Sequence, residues 1–427
     1  MTRRVAIVGS GIGGLSAAHH LRGKAHVTLF EAGDYFGGHT HTVDVTLPTP
    51  QGEQTFGVDT GFLVYNERTY PGLIGLFKSL GVEVAKTDMS FSVQVPGPHG
   101  RNVLEWNGAT LNSVFAQRSN LFKPRFWHML RDILRFNALA NALAEQQDDA
   151  RLMQPLQDFL REHRFGDAFR DGYLLPMLGC IWSCPTDQML QFPVATMVRF
   201  CHNHGLIQVN NRPQWYTVRG GARHYVEKVL AGIDQTHLHT PVRRISRHAS
   251  GVEVHTDAGR QSFDQLVVAT HSDQALALLA DPSLMEQSVL GRIRYHDNRA
   301  VLHTDVRCMP ERKLAWAAWN YERAQHSDKE SAHVCLHYWL NRLQPLPFSQ
   351  DVFVSLNPVR EIDPTSVIAE FSYAHPVFDL AAIQAQREMP SVQGGQRTWF
   401  AGAWMGYGFH EDGFQAGRAA AAGVLAS

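Results

Sequence analysis

The residues best suited to chemistry stand at the two ends of the chain. Near the N-terminus, Gly9-Ser10-Gly11-Ile12-Gly13-Gly14 forms a Gly-x-Gly-x-x-Gly turn, and Glu31 follows Gly14 by seventeen residues. An apolar run, Val5 to Val8, leads into the glycines and reads as a buried parallel strand; a small-residue helix through Leu21 leads out. In such a turn the first glycine permits the tight bend, the second lets backbone approach a pyrophosphate, and the third lets helix lie close on strand. Unpaired N–H groups and the helix dipole then favour the phosphate charge. A second strand, Val27 to Phe30, carries Glu31-Ala32 to where an adenosine ribose presents its hydroxyls. Strand before, helix after and acid at the proper distance make this a dinucleotide site. Near the other terminus, Thr398 to Ala403 reads as a strand ending in small residues, Gly402 and Ala403. A glycine-relaxed loop reaches His410, and a final helix opens on Glu411-Asp412-Gly413-Phe414. Acidic residues at a helix start serve as a cap and complement the dipole.

These motifs need a frame, and composition bounds it. At 427 residues, two domains are the default expectation. A hydrophobic content of 44% and a charged content of 19% describe an ordinary globular protein. The net charge of -1 gives no electrostatic footprint for nucleic acid. No apolar run approaches the roughly 20 residues needed to span a bilayer. Five cysteines form no CxxC and no zinc pattern, which suits a reducing compartment. A cytoplasmic location is therefore expected. Of the 23 histidines, some lie in pairs: His39/His41, His202/His204 and His237/His239. No Cys, Asp or Glu stands at ligand spacing beside them, so surface histidines are expected and no metal site is assigned.

After Glu31 the chain runs Ala32-Gly33-Asp34-Tyr35-Phe36-Gly37-Gly38-His39-Thr40. A Gly-Gly pair directly after the ribose acid is not required by a nicotinamide-binding unit. The stretch resembles the second cofactor motif of the flavin-containing amine oxidase superfamily, which also holds protoporphyrinogen oxidase and phytoene desaturase. His39 stands where relatives usually place arginine. Phe56 to Leu63, with Gly61 and Phe62, is similar to the segment passing under the isoalloxazine ring. The resemblance implies FAD rather than NAD. It also implies that Val242 lies against adenine through its backbone and that Ala269-Thr270 closes over the dinucleotide. The strand–loop–helix at the C-terminus would bring a helix N-terminus to the pyrimidine and ribitol end of the flavin, where its dipole stabilises negative charge on the reduced ring. Ala403 departs from the acid that relatives often carry. The expected fold is α/β: a Rossmann-like FAD domain of the glutathione-reductase type with a discontinuous α+β substrate domain. Residues 1–80, 210–275 and 395–427 are assigned to the first, and 81–209 with 276–394 to the second.

Several substrate-domain elements are legible. Leu73 to Leu80 reads as a helix closed by Gly81, and Phe91 to Val95 as a strand. Phe115 to Ala144 reads as a long helical region mixing aromatics with Arg118, Lys123, Arg125, Arg131 and Arg135. A core helix with a solvated basic face is the preferred reading, and a membrane-surface helix the alternative. The run Leu174 to Trp182, interrupted by Pro176 and Gly179, suits a cavity wall better than a regular element.

The phrases Tyr407 to Gly413 and Tyr338 to Gln344 resemble a narrower bacterial branch, the FAD/NAD-binding oxidoreductases associated with cyclopropane-fatty-acid synthases. The superfamily resemblance places His410 where amine oxidases carry an aromatic beside the flavin, and Asn298 near their lysine facing N5. His410 could act as acid/base or merely fill space, and Asn298 in place of lysine argues against simple amines. One dinucleotide fingerprint leaves no second domain for NAD(P)H. The expected function is FAD-dependent dehydrogenation or desaturation of an apolar, fatty-acyl lipid or other small molecule. Two alternatives stay open: an amine oxidase, and a non-redox flavin isomerase or lipid-binding partner of a fatty-acid-modifying methyltransferase. Peripheral contact at the inner membrane face is left open.

Overall fold

The computed structural model describes residues 2–97, 102–145, 153–208, 212–323 and 334–427. Its organising layer is a five-stranded parallel sheet in the spatial order Gln235–His237, His26–Phe30, Arg4–Val8, Gln265–Val268, Thr398–Phe400. Val5, Ala6 and Ile7 are fully buried, as a continuous apolar strand covered on both faces must be. Strand order reverses between Arg4–Val8 and Gln265–Val268, and ligands of doubly wound sheets bind beyond the strand ends at such a switch point. Gly9 and Ala269 stand there: Ala269 N–H donates to Val8 O at 2.7 Å, and Gly9 N–H to Phe30 O at 2.9 Å. The antiparallel strands Val242–His248, Gly251–Thr256 and Gly259–Phe263 form a separate sheet before the chain enters Gln265–Val268.

The helix Ile12–Leu21 lies against the terminal helix His410–Ala426. Both contact surfaces are stripped of side chain. A Cβ on Gly417 would sit 2.1 Å from Gly13 O, and Ser16 Oγ donates to Phe414 O at 2.7 Å. The helix Pro71–Leu80 begins on proline, ends on left-handed Gly81 (φ 60°), and is capped across space. Glu411 accepts both the Gly72 and the Leu73 N–H at 2.9 Å, matching carboxylate to helix dipole.

The other half is built on a seven-stranded sheet that joins Phe91–Pro96 and Asn102–Asn107 to strands between residues 295 and 376. Alternation sorts its faces. Val93, Tyr321, Leu336 and Val354 enter the main core, while Ser92, Asn320, His337 and Ser355 face the other way and are equally buried. Hydrogen bonds satisfy this second face. Ser355 Oγ pairs with His337 Nδ1 (2.6 Å) and His303 Nε2 (2.7 Å), and Glu322 takes His337 Nε2 at 3.0 Å and the Arg360 guanidinium at 2.8 Å. Glu322, Cys335 and His337 are of metal-ligand type and mutually close, but the carboxylate is already committed to Arg360 and His337.

Two sequence expectations change here. Phe115 to Ala144 is not one helix: a short helix Leu111–Val114 and a 3-10 turn Arg118–Phe122 precede the helix Pro124–Ala144, because Pro124 is tolerated only in a first turn. Leu175–Trp182 is helical, with Pro176 again in the first turn and Gly179 admitting Val334. Helices Leu284–Leu290 and Leu380–Glu388, assigned to the substrate half, contribute Val289, Leu290, Ala382 and Ala385 to the core beneath the parallel sheet, beside Ala6, Val8 and Phe400. Apolar content alone does not say which sheet a helix covers. Among the described residues, no helix is long and apolar enough to cross a membrane.

Candidate active site

At the switch point opens a cavity of about 680 Å³ that runs from the parallel sheet into the seven-stranded half. One end is lined by Gly9, Ser10, Gly11, Ile12, Gly13, Glu31, Ala32, Val242, Ala269 and Thr270; Gly38, His39, Gly61, Phe62, Gly402, Ala403 and His410 continue the wall. The sequence assigned all of these but His410 to the cofactor site, and His410 as a catalytic candidate; the fold brings them onto one surface. Glu31 is held where its strand ends: Ser10 N–H donates to it at 2.9 Å, Ser10 Oγ–H at 2.5 Å and Gly33 N–H at 2.8 Å.

The remaining predicted residues stand behind the wall. Gly14 is a packing contact, since a Cβ there would lie 1.9 Å from Gly9 O. Asp412 caps its own helix by accepting the Phe409 N–H at 2.9 Å, and burial raises its carboxyl to about 6. Gly413 packs on Ile12 and Ala403, and Phe414 enters the core under the sheet. Thr40 Oγ1 bonds Tyr225 OH and His410 Nε2, the latter at 2.9 Å. Asn298 is fully buried and does not reach the cavity. Its Oδ1 accepts from Asn357 (2.7 Å) and its amide meets His375 Nδ1 at 3.1 Å, so the strand register presents His375 to the cavity in its place.

His410 is stacked on Phe62 with ring centroids 3.7 Å apart, and Tyr225 OH lies 3.3 Å from its Nε2. Burial pushes its pKa down to about 3, so it is a neutral, hydrogen-bonded wall residue at physiological pH. The aromatic that meets the apolar end is its neighbour Phe409, stacked against Phe200 at 4.7 Å. Four further histidines, His39, His204, His271 and His375, line the cavity. His39 is held well below its ordinary value by burial and then by His375, His271 and His410, and its Nε2 is buried without a hydrogen-bond partner. His375 is pushed down to about 4 by burial and then by His271 and His296. The expectation of surface histidines therefore fails for His39 and for His204, which is buried in the wall. His204 was missed as a site residue. Its signal was its place one turn after Phe200, at the C-terminal cap of the helix Val194–Asn203.

The far end is lined by Leu63, Val64, Met89, Ile181, Trp182, Phe200, Leu206, Trp215, Trp319 and Tyr338. Among the described residues of the lining, Glu31 is the one carboxylate and there is no lysine or arginine.

The cavity fits a dinucleotide on evidence of its own. The helix Ile12–Leu21 has no side-chain cap and no acid in its first turn, so its N–H groups are left for an anion. A Cβ on Gly11 would meet nothing within 4 Å, which leaves the approach open. The family model for flavin-containing amine oxidoreductases matches residues 12–341. The chain belongs to this family. Its members are flavin-containing, in keeping with a cavity that opens at the glycine turn. Among curated relatives, the protein described as flavin-containing monoamine oxidase AofH of Mycobacterium tuberculosis H37Rv is 28% identical over 294 residues. The match takes in 66% of this chain and 59% of that protein, so the chain spans about three fifths of the relative's length. Among solved structures, the CLA-producing fatty acid isomerase from P. acnes has a TM-score of 0.69 at 16% identity, covering 98% of this chain and 97% of that one. Cyclohexylamine oxidase from Brevibacterium oxydans has 0.69 at 16%, covering 100% and 99%. These structures share the family's fold.

Proposed function

We propose that this flavin-family chain is an FAD-dependent oxidoreductase that dehydrogenates an apolar, fatty-acyl substrate. The observation that carries the reading is the far end of the cavity: apolar and aromatic side chains line it, and among the described residues no acid or base except histidine enters it. Such a lining suits a hydrocarbon chain and offers no carboxylate to a cationic amine. Gly9 to Gly13 and Glu31 would hold the adenine dinucleotide, with Gly61, Phe62, Gly402 and Ala403 around the ring. The flavin, when bound, supplies the two-electron acceptor. The chain's own residues supply position, water exclusion and a proton site. His204 Nδ1–H donates to Phe200 O at 3.0 Å, which leaves Nε2 as the acceptor. The ring is stacked on Phe200 at 3.9 Å, and burial lowers its pKa to about 4. A base that weak would serve because a carbon next to a departing hydride is strongly acidic; the hydride would leave for the bound flavin and the neighbouring proton for His204. Isomerisation, the activity named for the P. acnes neighbour, would instead return the hydride to a different carbon of the chain, with no net loss of a proton to His204.

The test is anaerobic mixing of the holoprotein with unsaturated and saturated acyl lipids, and with primary amines. Bleaching of the flavin by acyl lipid, or a shifted double bond in recovered lipid, is the expected result, and His204→Ala slows it with flavin content unchanged. Bleaching by amines alone overturns the reading in favour of amine oxidation, toward which the AofH match and the aromatic rings at Phe200, Trp215 and Phe409 point.

A further inference from the structure

We propose that the outer surface formed by residues 103–135 is a docking face for an anionic lipid bilayer. Half of the large hydrophobic residues exposed on the described chain lie in this one segment: Val103, Leu111, Leu121, Phe122, Trp127 and Leu134. Phe122 is 87% exposed and Leu111 81%. They form one patch. Lys123 Nζ reaches Val103 O at 3.1 Å, Trp127 Nε1 donates to Leu121 O at 2.9 Å, and the Trp127 ring lies 5.3 Å from that of Phe115. Arg118 ties Phe115 to Asn112, beside Leu111. On the helix Pro124–Ala144, Phe126, Met129, Phe136 and Ala140 point inward, while Arg125, Trp127, His128, Arg131, Leu134 and Arg135 point out. An inner core face is therefore complete without the outer aromatics.

Charge decides the occupant. Residues 106–144 carry five Arg or Lys and a single acid, Asp132, in a chain whose net charge is -1. Asp132 is buried and paired with Arg131 and Arg135, each at 3.4 Å. Glu311, the exposed acid at the patch edge, accepts the Asn102 N–H and lies beside Arg312. Bulky apolar groups projecting from a ring of cations match the boundary between acyl chains and anionic headgroups. A second copy of the chain would bring like charge against like. The face also lies one helix layer from the cavity: Val194–Asn203, which carries Phe200 and His204 into the wall, packs on the inner side of Pro124–Ala144.

The experiment is co-sedimentation of holoprotein with vesicles of phosphatidylcholine alone or with about 30 mol % phosphatidylglycerol, at low salt and at about 0.5 M salt. Binding to the anionic vesicles is expected, weaker by about tenfold on neutral vesicles and in high salt. Phe122→Ser with Trp127→Ser, and separately Arg125→Glu with Arg131→Glu, should each cut it by about tenfold, with flavin content and elution volume unchanged. Absence of binding by the unmodified protein, or binding by both variants equal to that of the unmodified protein, overturns the proposal. So does a dimer of the unmodified protein that the Phe122/Trp127 variant converts to monomer, which would give the face to a second copy. No turnover is measured, so the outcome is independent of the substrate.

Discussion

At Gly11 a single side chain separates folding from cofactor binding. Its backbone is extended, with φ -61° and ψ 175°, which any residue adopts, and a Cβ there meets nothing within 4 Å. Gly11→Val should leave the thermal transition in place while lowering FAD affinity by about 100-fold or more, roughly 3 kcal/mol. Flavin absorbance per mole of protein after gel filtration reads the result, and a yellow variant would remove the dinucleotide assignment. His410 makes a second prediction, on pH. Its folded pKa of about 3 lies below the ordinary 6.5, so the unfolded chain takes up the proton first as pH falls. The stability it contributes is whole above pH 6.5 and is lost as pH drops toward 3, at up to about 1.4 kcal/mol per unit. His410→Gln can still bond Thr40 and should flatten the apoprotein's stability profile over that window. Parallel urea-denaturation profiles for the two proteins would show that His410 does not titrate as described.

At the scale of elements, the cofactor half is held by contacts that tolerate little. Arg247, on Val242–His248, makes a two-pronged pair with Glu286 of Leu284–Leu290, Nη1 at 2.5 Å and Nη2 at 2.9 Å, with both side chains buried. Arg247→Ala leaves a buried carboxylate without its partner and should cost about 3–5 kcal/mol in chemical denaturation. Pairing Arg247→Met with Glu286→Leu should recover much of that loss; no recovery would mean that packing, not charge, governs the site. Gly417→Val drives a side chain into Gly13 O, so the terminal helix must move away from the glycine turn. Loss of both stability and flavin is expected, in contrast to the Gly11 variant, where only flavin is lost.

The whole molecule has one parallel nucleotide-binding sheet among its described residues, and its cavity is shared between that sheet and the seven-stranded one. With no second sheet of that kind to seat a nicotinamide dinucleotide, anaerobic NADH or NADPH should not bleach the flavin on the timescale of turnover. Rapid bleaching would require a donor path through the apolar end. All five cysteines are buried and none lines the cavity. The flavin should accordingly be released into the supernatant by acid precipitation; colour retained in the pellet would indicate a covalent link to another residue.

Local constraint explains how much could be read ahead of the fold. The turn from Gly9 to Gly14, the acid at Glu31 and the strand into Gly402 are legible because each residue type answers a nearby steric or electrostatic demand: a bend, a close approach, a helix end. Nothing local distinguishes Asn298 from His375. Antiparallel pairing of Tyr295–His303 with Val367–Pro376 decides that the histidine reaches the cavity and the asparagine stays behind it. His204 reads as half of a surface pair until Val194–Asn203 packs on Pro124–Ala144 and turns it inward. His410 reads as a candidate acid/base until Thr40 and Tyr225, from distant parts of the chain, close on its ring nitrogen. Side-chain chemistry is carried by residue type, but protonation and access are set by burial and by partners remote in sequence, and those exist only once the sheets and helices have docked.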